Sequence, residues 1–188
     1  GKLRVVASAI EHPAVLNTCG ALEKSGFEVK YIGVDGGGYV DMEQARKLIT
    51  PETTVVSVMA ANNEVGTIQP IRELAALCRE RGALFHTDAV QAAGHIPLDV
   101  RELGCDMMSV SAHKLGGLRG AGLLYIRRGL ELQPLICGGG QENGLRSGTE
   151  NTAAIVSMGA AMEYACGDIN GRSERISALR DRLVAGLL

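Results

Sequence analysis

Short apolar runs and amphipathic stretches follow one another along this chain, and their spacing predicts alternating strands and helices. β-Branched and other apolar residues predict strands over residues 3–9, 27–32, 53–59 and 122–127. Two shorter apolar runs predict a further pair of buried parallel strands, joined by a connection of helix size, over 83–85 and 107–110.

Helices are predicted where apolar residues recur at intervals of three or four. Their end signals are Pro13, Gly26, Asp41 as an N-cap, and Gly82. The predicted helices cover 13–25, 42–49, 71–81, 100–103, 150–165 and 173–188. This alternation favours an α/β domain with a largely parallel, twisted sheet flanked by helices. A chain of 188 residues is long enough for one such domain with a substantial core.

Composition narrows the class of protein without identifying its chemistry. A hydrophobic fraction of 46% and a charged fraction of 21% are typical of soluble globular proteins. With a net charge of −2 and no basic run, the chain offers no surface for nucleic acid or an anionic membrane, and we expect neither as a partner. No apolar stretch has the length of a membrane span, and no signal peptide is expected. Five scattered cysteines without a CxxC pair predict reduced thiols in a cytoplasmic protein, with no metal site.

Candidate chemistry follows the two short apolar runs. Asp88 comes soon after the run 83–85, and Lys114 soon after the run 107–110. Ligands of open parallel sheets bind at the carboxyl ends of the strands, so an acid and an amine would meet there. This pair suits pyridoxal phosphate (PLP), which forms a Schiff base with a lysine and pairs its ring nitrogen with an acid. Each residue also has an ordinary alternative: a solvated surface charge for Lys114 and a helix N-cap for Asp88.

Six short motifs decide between these alternatives. They are EHPAV (11–15), NNEVG (62–66), HTDAVQ (86–91), SAHK (111–114), GGGQE (138–142) and LRSGTEN (145–151). In this order they resemble the cysteine desulfurases of the NifS/IscS type, in the class V aminotransferase family, over essentially the whole chain. The resemblance implies a PLP-dependent transferase large domain of fold type I, with a largely parallel, seven-stranded-type sheet flanked by helices. It implies conversion of L-cysteine to L-alanine, with sulfur passed through an enzyme persulfide to an acceptor protein such as an iron–sulfur scaffold, or to thio-cofactor assembly.

The resemblance also implies a role for each candidate residue. Lys114 would be the Schiff-base lysine, with its pKa lowered by burial near a cation. Asp88 would pair with the pyridine nitrogen, and His12 would stack on the ring and take part in proton transfer. The remaining cofactor contacts would be Gln91 and Asn63 near the ring hydroxyl, and Ser111, His113 and Thr149 at the phosphate. Thr149, at a helix start, would reach the site of the other subunit of a homodimer. Without the family, Asn62 and Asn63 would be read as loop caps and His12 as a helix-start residue.

The sequence departs from the family pattern in places. Leu118 and Arg119 stand where a Pro-Lys pair is usual, and Asn143 replaces an arginine. Family members are about twice as long, so we expect residues 1–188 to be the PLP-binding large domain, truncated at both ends and lacking the small domain with the catalytic cysteine. The five cysteines are expected to be small buried residues, with Cys137 the one candidate for reactivity. The isolated chain is then predicted to be inactive. The alternatives are a selenocysteine lyase or other class V enzyme, and a non-catalytic fragment acting as a folded or dimerisation domain.

Overall fold

The chain forms one six-stranded sheet with helices packed on it, and a computed structural model describes residues 3–188. The strands are β1 (Arg4–Ser8), β2 (Glu28–Ile32), β3 (Thr53–Ser57), β4 (Leu84–Asp88), β5 (Met107–Ser111) and β6 (Gly122–Ile126). The helices are α1 (Pro13–Lys24), α2 (Met42–Leu48), α3 (Ile71–Arg81), α4 (Val100–Leu103), α5 (Thr152–Gly167) and α6 (Ile169–Leu187). Two 3₁₀ turns, Ala112–Lys114 and Glu142–Gly144, follow β5 and β6.

The strand order is β2-β1-β3-β4-β5-β6, and the first five strands are parallel. β6 runs antiparallel to β5, with Ser111 opposite Gly122. The connection 112–121 is too short for the crossover that a parallel pair requires, which explains the reversal. The predicted α/β fold with a largely parallel sheet is therefore confirmed. Over the described residues the sheet has six strands, where the family resemblance suggested a seven-stranded type.

The larger part of the core packs on one face of the central strands. Val6, Val56 and Phe85, on β1, β3 and β4, are completely buried. This is the expected result for apolar strands inside a parallel sheet covered by helices. From α3, Leu74 and Cys78 complete the packing. β2 is an edge strand, and only two of its five residues are buried, in agreement with the half-exposed strand predicted there.

Several helix ends follow from single residues. The Asp41 side chain accepts hydrogen bonds from the amides of Glu43 at 2.9 Å and Gln44 at 3.0 Å, as predicted for an N-cap. Gly82 ends α3 with a φ of 68°, a conformation that glycine adopts without steric cost. The predicted gap before the last helix is wrong. α6 begins at Ile169, directly after Asp168, because the Asp168 side chain caps it by accepting from the Gly171 amide at 3.0 Å.

The five cysteines fall into two groups. Cys19, Cys78 and Cys105 are buried, as expected, and burial raises the pKa of all three thiols, that of Cys78 to about 12. The expectation of burial is wrong for Cys137 and Cys166, which are exposed. Cys137 lies in the irregular segment after β6, and Cys166 lies in the last turn of α5, on a side that no other described element covers.

Within residues 3–188, none of the helices has both the length and the apolar composition that crossing a bilayer requires.

Candidate functional site

The carboxyl ends of β1, β3, β4 and β5 bring most of the predicted site residues to one edge of the sheet. His12 follows β1, Asn63 follows β3, and Asp88 ends β4 with Gln91 shortly after it. β5 ends at Ser111, and the 3₁₀ turn behind it carries His113 and Lys114. These strands are parallel neighbours, so their ends lie side by side. Such an edge is where open α/β sheets bind ligands.

Asp88 is held by its own turn. Its Oδ1 accepts a hydrogen bond from the Val90 amide at 2.9 Å, and its backbone carbonyl accepts from the Ala60 amide at 2.8 Å. The ordinary capping role is therefore real. It also fixes the half-buried carboxyl at the end of β4 and leaves Oδ2 for another partner. A carboxyl group in this position can pair with a ring nitrogen, the role predicted for Asp88 from the sequence.

A row of polar side chains crosses the sheet one step below Asp88. The ring of His86 lies between two serines, with Nδ1 2.8 Å from Ser57 Oγ and Nε2 2.8 Å from Ser109 Oγ. Side chains two residues apart share a face of a strand, so His86 and Asp88 lie on the same face. Burial lowers the pKa of His86 and Asp88 raises it, with burial the larger effect. We conclude that His86 is neutral at pH 7, donating to one serine and accepting from the other.

The sequence analysis did not identify this row. The signal was present as a period-two pattern, because His86 and Asp88 alternate with apolar or buried neighbours. The two serine partners, however, are known only once β3 and β5 are placed on either side of β4.

Glu11 was also missed as a separate residue. It is 4% exposed, and its Oε1 accepts hydrogen bonds from Ser8 Oγ at 2.5 Å and from the Met59 amide at 2.7 Å. Burial, with a smaller contribution from Asp88, raises the pKa of Glu11 to about 7. Within the described residues its Oε2 has no hydrogen-bond partner. An acidic residue directly after a buried strand was the available signal.

The loop after β3 distinguishes its two asparagines. Asn62 is buried, and its Oδ1 accepts from the amides of Glu64 at 2.9 Å and Val65 at 3.0 Å. Its Nδ2 donates to the Ile10 carbonyl at 3.0 Å. Loop capping is therefore the role of Asn62. Asn63 is exposed beside it, and its assignment as a cofactor contact stays a prediction.

His12 has the helix-start role that was its ordinary alternative. It is the N-cap of α1, and its Nδ1 accepts from the Ala14 amide at 3.1 Å. The residue is exposed at the edge of the sheet, which leaves Nε2 available to a ligand. The two roles are compatible, and stacking on a cofactor ring stays a prediction.

Lys114 ends a 3₁₀ turn and is exposed. The Lys114 side chain was expected to be buried, but the glycine-rich residues that follow it form an open turn and leave it exposed to solvent. The amides of Leu115 and Gly117 both donate to the Ala112 carbonyl at 3.0 Å, which fixes the backbone of the turn. Helix α5 packs beside it, with the Leu118 amide donating to Ser157 Oγ at 3.0 Å.

Thr149 lies outside the loops that carry the other candidates, in the segment between β6 and α5. It is exposed in the segment 138–150, which is held by internal hydrogen bonds such as Gly140 N to Ser147 Oγ at 3.3 Å. Its expected place at a helix start is wrong by a few residues. Asn151 caps α5 by accepting from the Ala154 amide at 3.2 Å, and the helix begins at Thr152. In the same segment Asn143 has a φ of 56°, a left-handed conformation that asparagine tolerates better than the arginine it replaces.

Residues 1–188 match the family described as Aminotransferase class-V. A cysteine desulfurase from Gluconacetobacter diazotrophicus is 52% identical over 100% of this chain and 47% of its own length. The cysteine desulfurase IscS of Clostridium botulinum is 50% identical over 97% of this chain and 46% of its own. The chain thus spans about half the length of the curated relatives it matches.

Solved structures agree with the sequence relatives. A NifS-like protein superposes with a TM-score of 0.96 at 46% identity, covering 99% of this chain and 52% of its own. A structure described as SspA in complex with cysteine has a TM-score of 0.83 at 44% identity, covering 86% of this chain and 47% of its own. The chain belongs to the class V aminotransferase family, and its relatives there are cysteine desulfurases of the IscS/NifS type.

Proposed function

We propose that residues 1–188 form the PLP-binding large domain of a cysteine desulfurase whose substrate is L-cysteine. The observation that carries the proposal is the placement of Asp88 and Lys114 at the carboxyl ends of the adjacent strands β4 and β5. The relatives named cysteine desulfurase, and the related structure that holds cysteine, support the substrate.

The residues at this edge fit the cofactor. Asp88 is an acid with one free oxygen for a ring nitrogen, and Lys114 is an exposed amine for an aldehyde. Ser111 and His113, beside Lys114, supply donors suited to a phosphate. Asn63 and Gln91 provide amides on the other loops for a ring hydroxyl. The donor set thus contains one group for each polar function of PLP.

When bound, PLP supplies an electron sink for the negative charge left on the substrate Cα. The roles of the protein groups follow from their chemistry. Lys114 would hold the cofactor through its amine and would carry the Cα proton. Asp88 would keep a proton on the ring nitrogen, which would strengthen the sink. His12 would lie against the ring, with Nε2 as a second group able to carry a proton.

The rest of the reaction requires a thiol that attacks the substrate sulfur. Cys19, Cys78 and Cys105 are buried with raised pKa values, so little of their thiolate is present at pH 7. The exposed Cys137 and Cys166 lie in the segment after β6 and in the last turn of α5, outside the loops that carry Asp88 and Lys114. We infer that residues 1–188 alone do not release alanine from L-cysteine. In the whole protein the product persulfide would pass sulfur to an acceptor such as an iron–sulfur scaffold. Thr149, which is exposed in the segment before α5, would then serve the partner subunit of a homodimer.

Reduction and peptide mapping test the proposal. The chain is incubated with PLP, treated with borohydride and digested with a protease. The mass of each lysine-containing peptide is then measured by mass spectrometry. We expect the pyridoxyl mass on the peptide that contains Lys114, while the peptides with Lys30 and Lys47 serve as exposed internal controls. Labelling spread evenly over all three lysines, or absent from Lys114, would contradict the proposal.

A further inference from the structure

Glu11 is a buried carboxyl group that the proposed reaction does not use. It follows β1 and immediately precedes His12. Both hydrogen bonds it accepts go to Oε1, from Ser8 Oγ at 2.5 Å and from the Met59 amide at 2.7 Å. Burying an acid is costly unless its interactions compensate, so this placement calls for an explanation.

The bond to Met59 joins two loops that are far apart in sequence. One is the loop 9–12 after β1, which carries His12, and the other is the loop 58–63 after β3, which carries Asn63. A second bond runs between the same loops, from Asn62 Nδ2 to the Ile10 carbonyl at 3.0 Å. We call these two bonds the loop tie.

Two further hydrogen bonds connect loop 58–63 to β4, which ends at Asp88. The Ala60 amide, next to Met59, donates to the Asp88 carbonyl at 2.8 Å, and the Val58 amide donates to the His86 carbonyl at 3.2 Å. Loop 58–63 is therefore fixed on one side to β4 and on the other, through Glu11, to the loop of His12. Glu11 is also close enough to Asp88 for that carboxylate to influence its ionisation.

We propose that Glu11 is a positioning residue of the cofactor site: its Oε1 holds the loop of His12 against the loop of Asn63 and so sets both side chains relative to Asp88. This inference rests on the proposed function, because only a cofactor at this edge would contact all three. The second bond of the loop tie joins the neutral amide of Asn62 to a backbone carbonyl, whereas Glu11 provides a buried carboxyl oxygen as acceptor for a backbone amide.

Two substitutions distinguish the positioning role of Glu11 from the effect of its charge. Glu11→Gln keeps an oxygen for Ser8 and Met59 but has no charge. Glu11→Leu removes the acceptor and leaves the Met59 amide unpaired. Thr53→Val is the matched control, because Thr53 is fully buried and accepts from the Thr50 amide at 3.0 Å at the opposite end of β3.

The first measurement is amide hydrogen exchange of Met59 without PLP, relative to the amide of Val56 in the same sample. We expect the Met59 amide to exchange about tenfold faster in Glu11→Leu than in wild type, which is the factor associated with losing one buried hydrogen bond. Glu11→Gln should stay within about threefold of wild type, and Thr53→Val should leave the ratio unchanged.

The second measurement is PLP affinity by fluorescence titration of the same variants. The Leu variant should bind PLP about tenfold more weakly, with recovery in the Gln variant and none of this loss in Thr53→Val. Unchanged exchange and affinity in Glu11→Leu, or an equal loss in Thr53→Val, would overturn the inference. If the wild-type chain binds no PLP, the proposed function fails, and the exchange of Met59 alone decides whether Glu11 holds the loops together.

Discussion

The two sides of the candidate site are built in different ways. The ring side, which is the side proposed for the cofactor ring, is made of the loops after β1 and β3 and the end of β4. It is fixed by buried or half-buried polar groups: Glu11, Asn62, and the His86 row beneath Asp88. The phosphate side, made of the 3₁₀ turn after β5 and the segment 138–150, is exposed at His113, Lys114 and Thr149. The ring side is thus positioned by its own internal hydrogen bonds, whereas the named residues of the phosphate side are open to water.

The two sides differ because water reaches the polar groups of one side and not those of the other. A buried donor or acceptor must find a protein partner, and that partner fixes its position. Exposed groups are satisfied by water and can take several arrangements at little cost. We therefore expect substitutions on the ring side to change both stability and binding. Substitutions of the exposed residues on the phosphate side should leave stability nearly unchanged.

The largest expected effect is the pH dependence that Glu11 gives to stability. Its pKa is about 7 in the folded chain, against an ordinary value of 4.5, so the folded state binds the proton more tightly. Its contribution is complete below about pH 4.5 and is lost as the pH rises through 7. From pH 4.5 to 8, wild type should lose about 3 kcal/mol of unfolding free energy relative to Glu11→Gln.

Urea denaturation at several pH values measures this difference. The lowered pKa of His86 gives a dependence of opposite sign, but it is present in both proteins and cancels in the comparison. Parallel stability profiles for wild type and Glu11→Gln would show that Glu11 is not buried as described.

The next effect concerns Asp88. Asp88→Ala should weaken PLP binding about 100-fold, because the proposed charged hydrogen bond to the cofactor would be lost together with the cap on Val90. Fluorescence titration measures the affinity. Asp41→Ala is the control, since it removes a comparable cap on α2, which follows the edge strand β2 and carries none of the candidate residues. A similar loss of affinity in both variants would remove the special role of Asp88.

His86→Leu should reduce the unfolding free energy by about 2 kcal/mol, because Ser57 and Ser109 lose their partner. Thermal or urea denaturation at pH 7 measures the loss. Adding Ser57→Ala and Ser109→Ala should restore part of the stability, since the unpaired hydroxyls are then gone. A single variant as stable as wild type would mean that the row does not support the ring side.

The smallest effect is predicted on the phosphate side. Thr149→Val should change the unfolding free energy by less than about 0.5 kcal/mol, as is usual for an exposed position. Ser147→Ala, in the same segment but buried and bonded to the Gly140 amide, should be clearly more destabilising. Equal effects of the two substitutions would indicate that this side is as well fixed as the ring side.

Much of the fold could be predicted from local signals in the sequence. The bounds of α3 were predicted to the residue, because its apolar spacing and Gly82 act within one helix. Asp88 and Lys114 also follow from the strand pattern, since parallel strands end together, whereas the other five candidates at the sheet edge follow from the family resemblance. Glu11 and His86 did not, because their partners depend on strand order. Glu11 meets Met59 only because β3 lies beside β1, although β2 comes between them in sequence.

The most direct test of the account is the visible absorption spectrum of the chain after incubation with PLP and desalting, beside Lys114→Ala and the exposed-lysine control Lys47→Ala. The account predicts a visible band in wild type and Lys47→Ala that survives desalting and is missing from Lys114→Ala. A band of equal strength in Lys114→Ala would contradict the assignment of Lys114 as the cofactor lysine. No retained band in wild type would contradict the claim that residues 1–188 hold PLP by themselves.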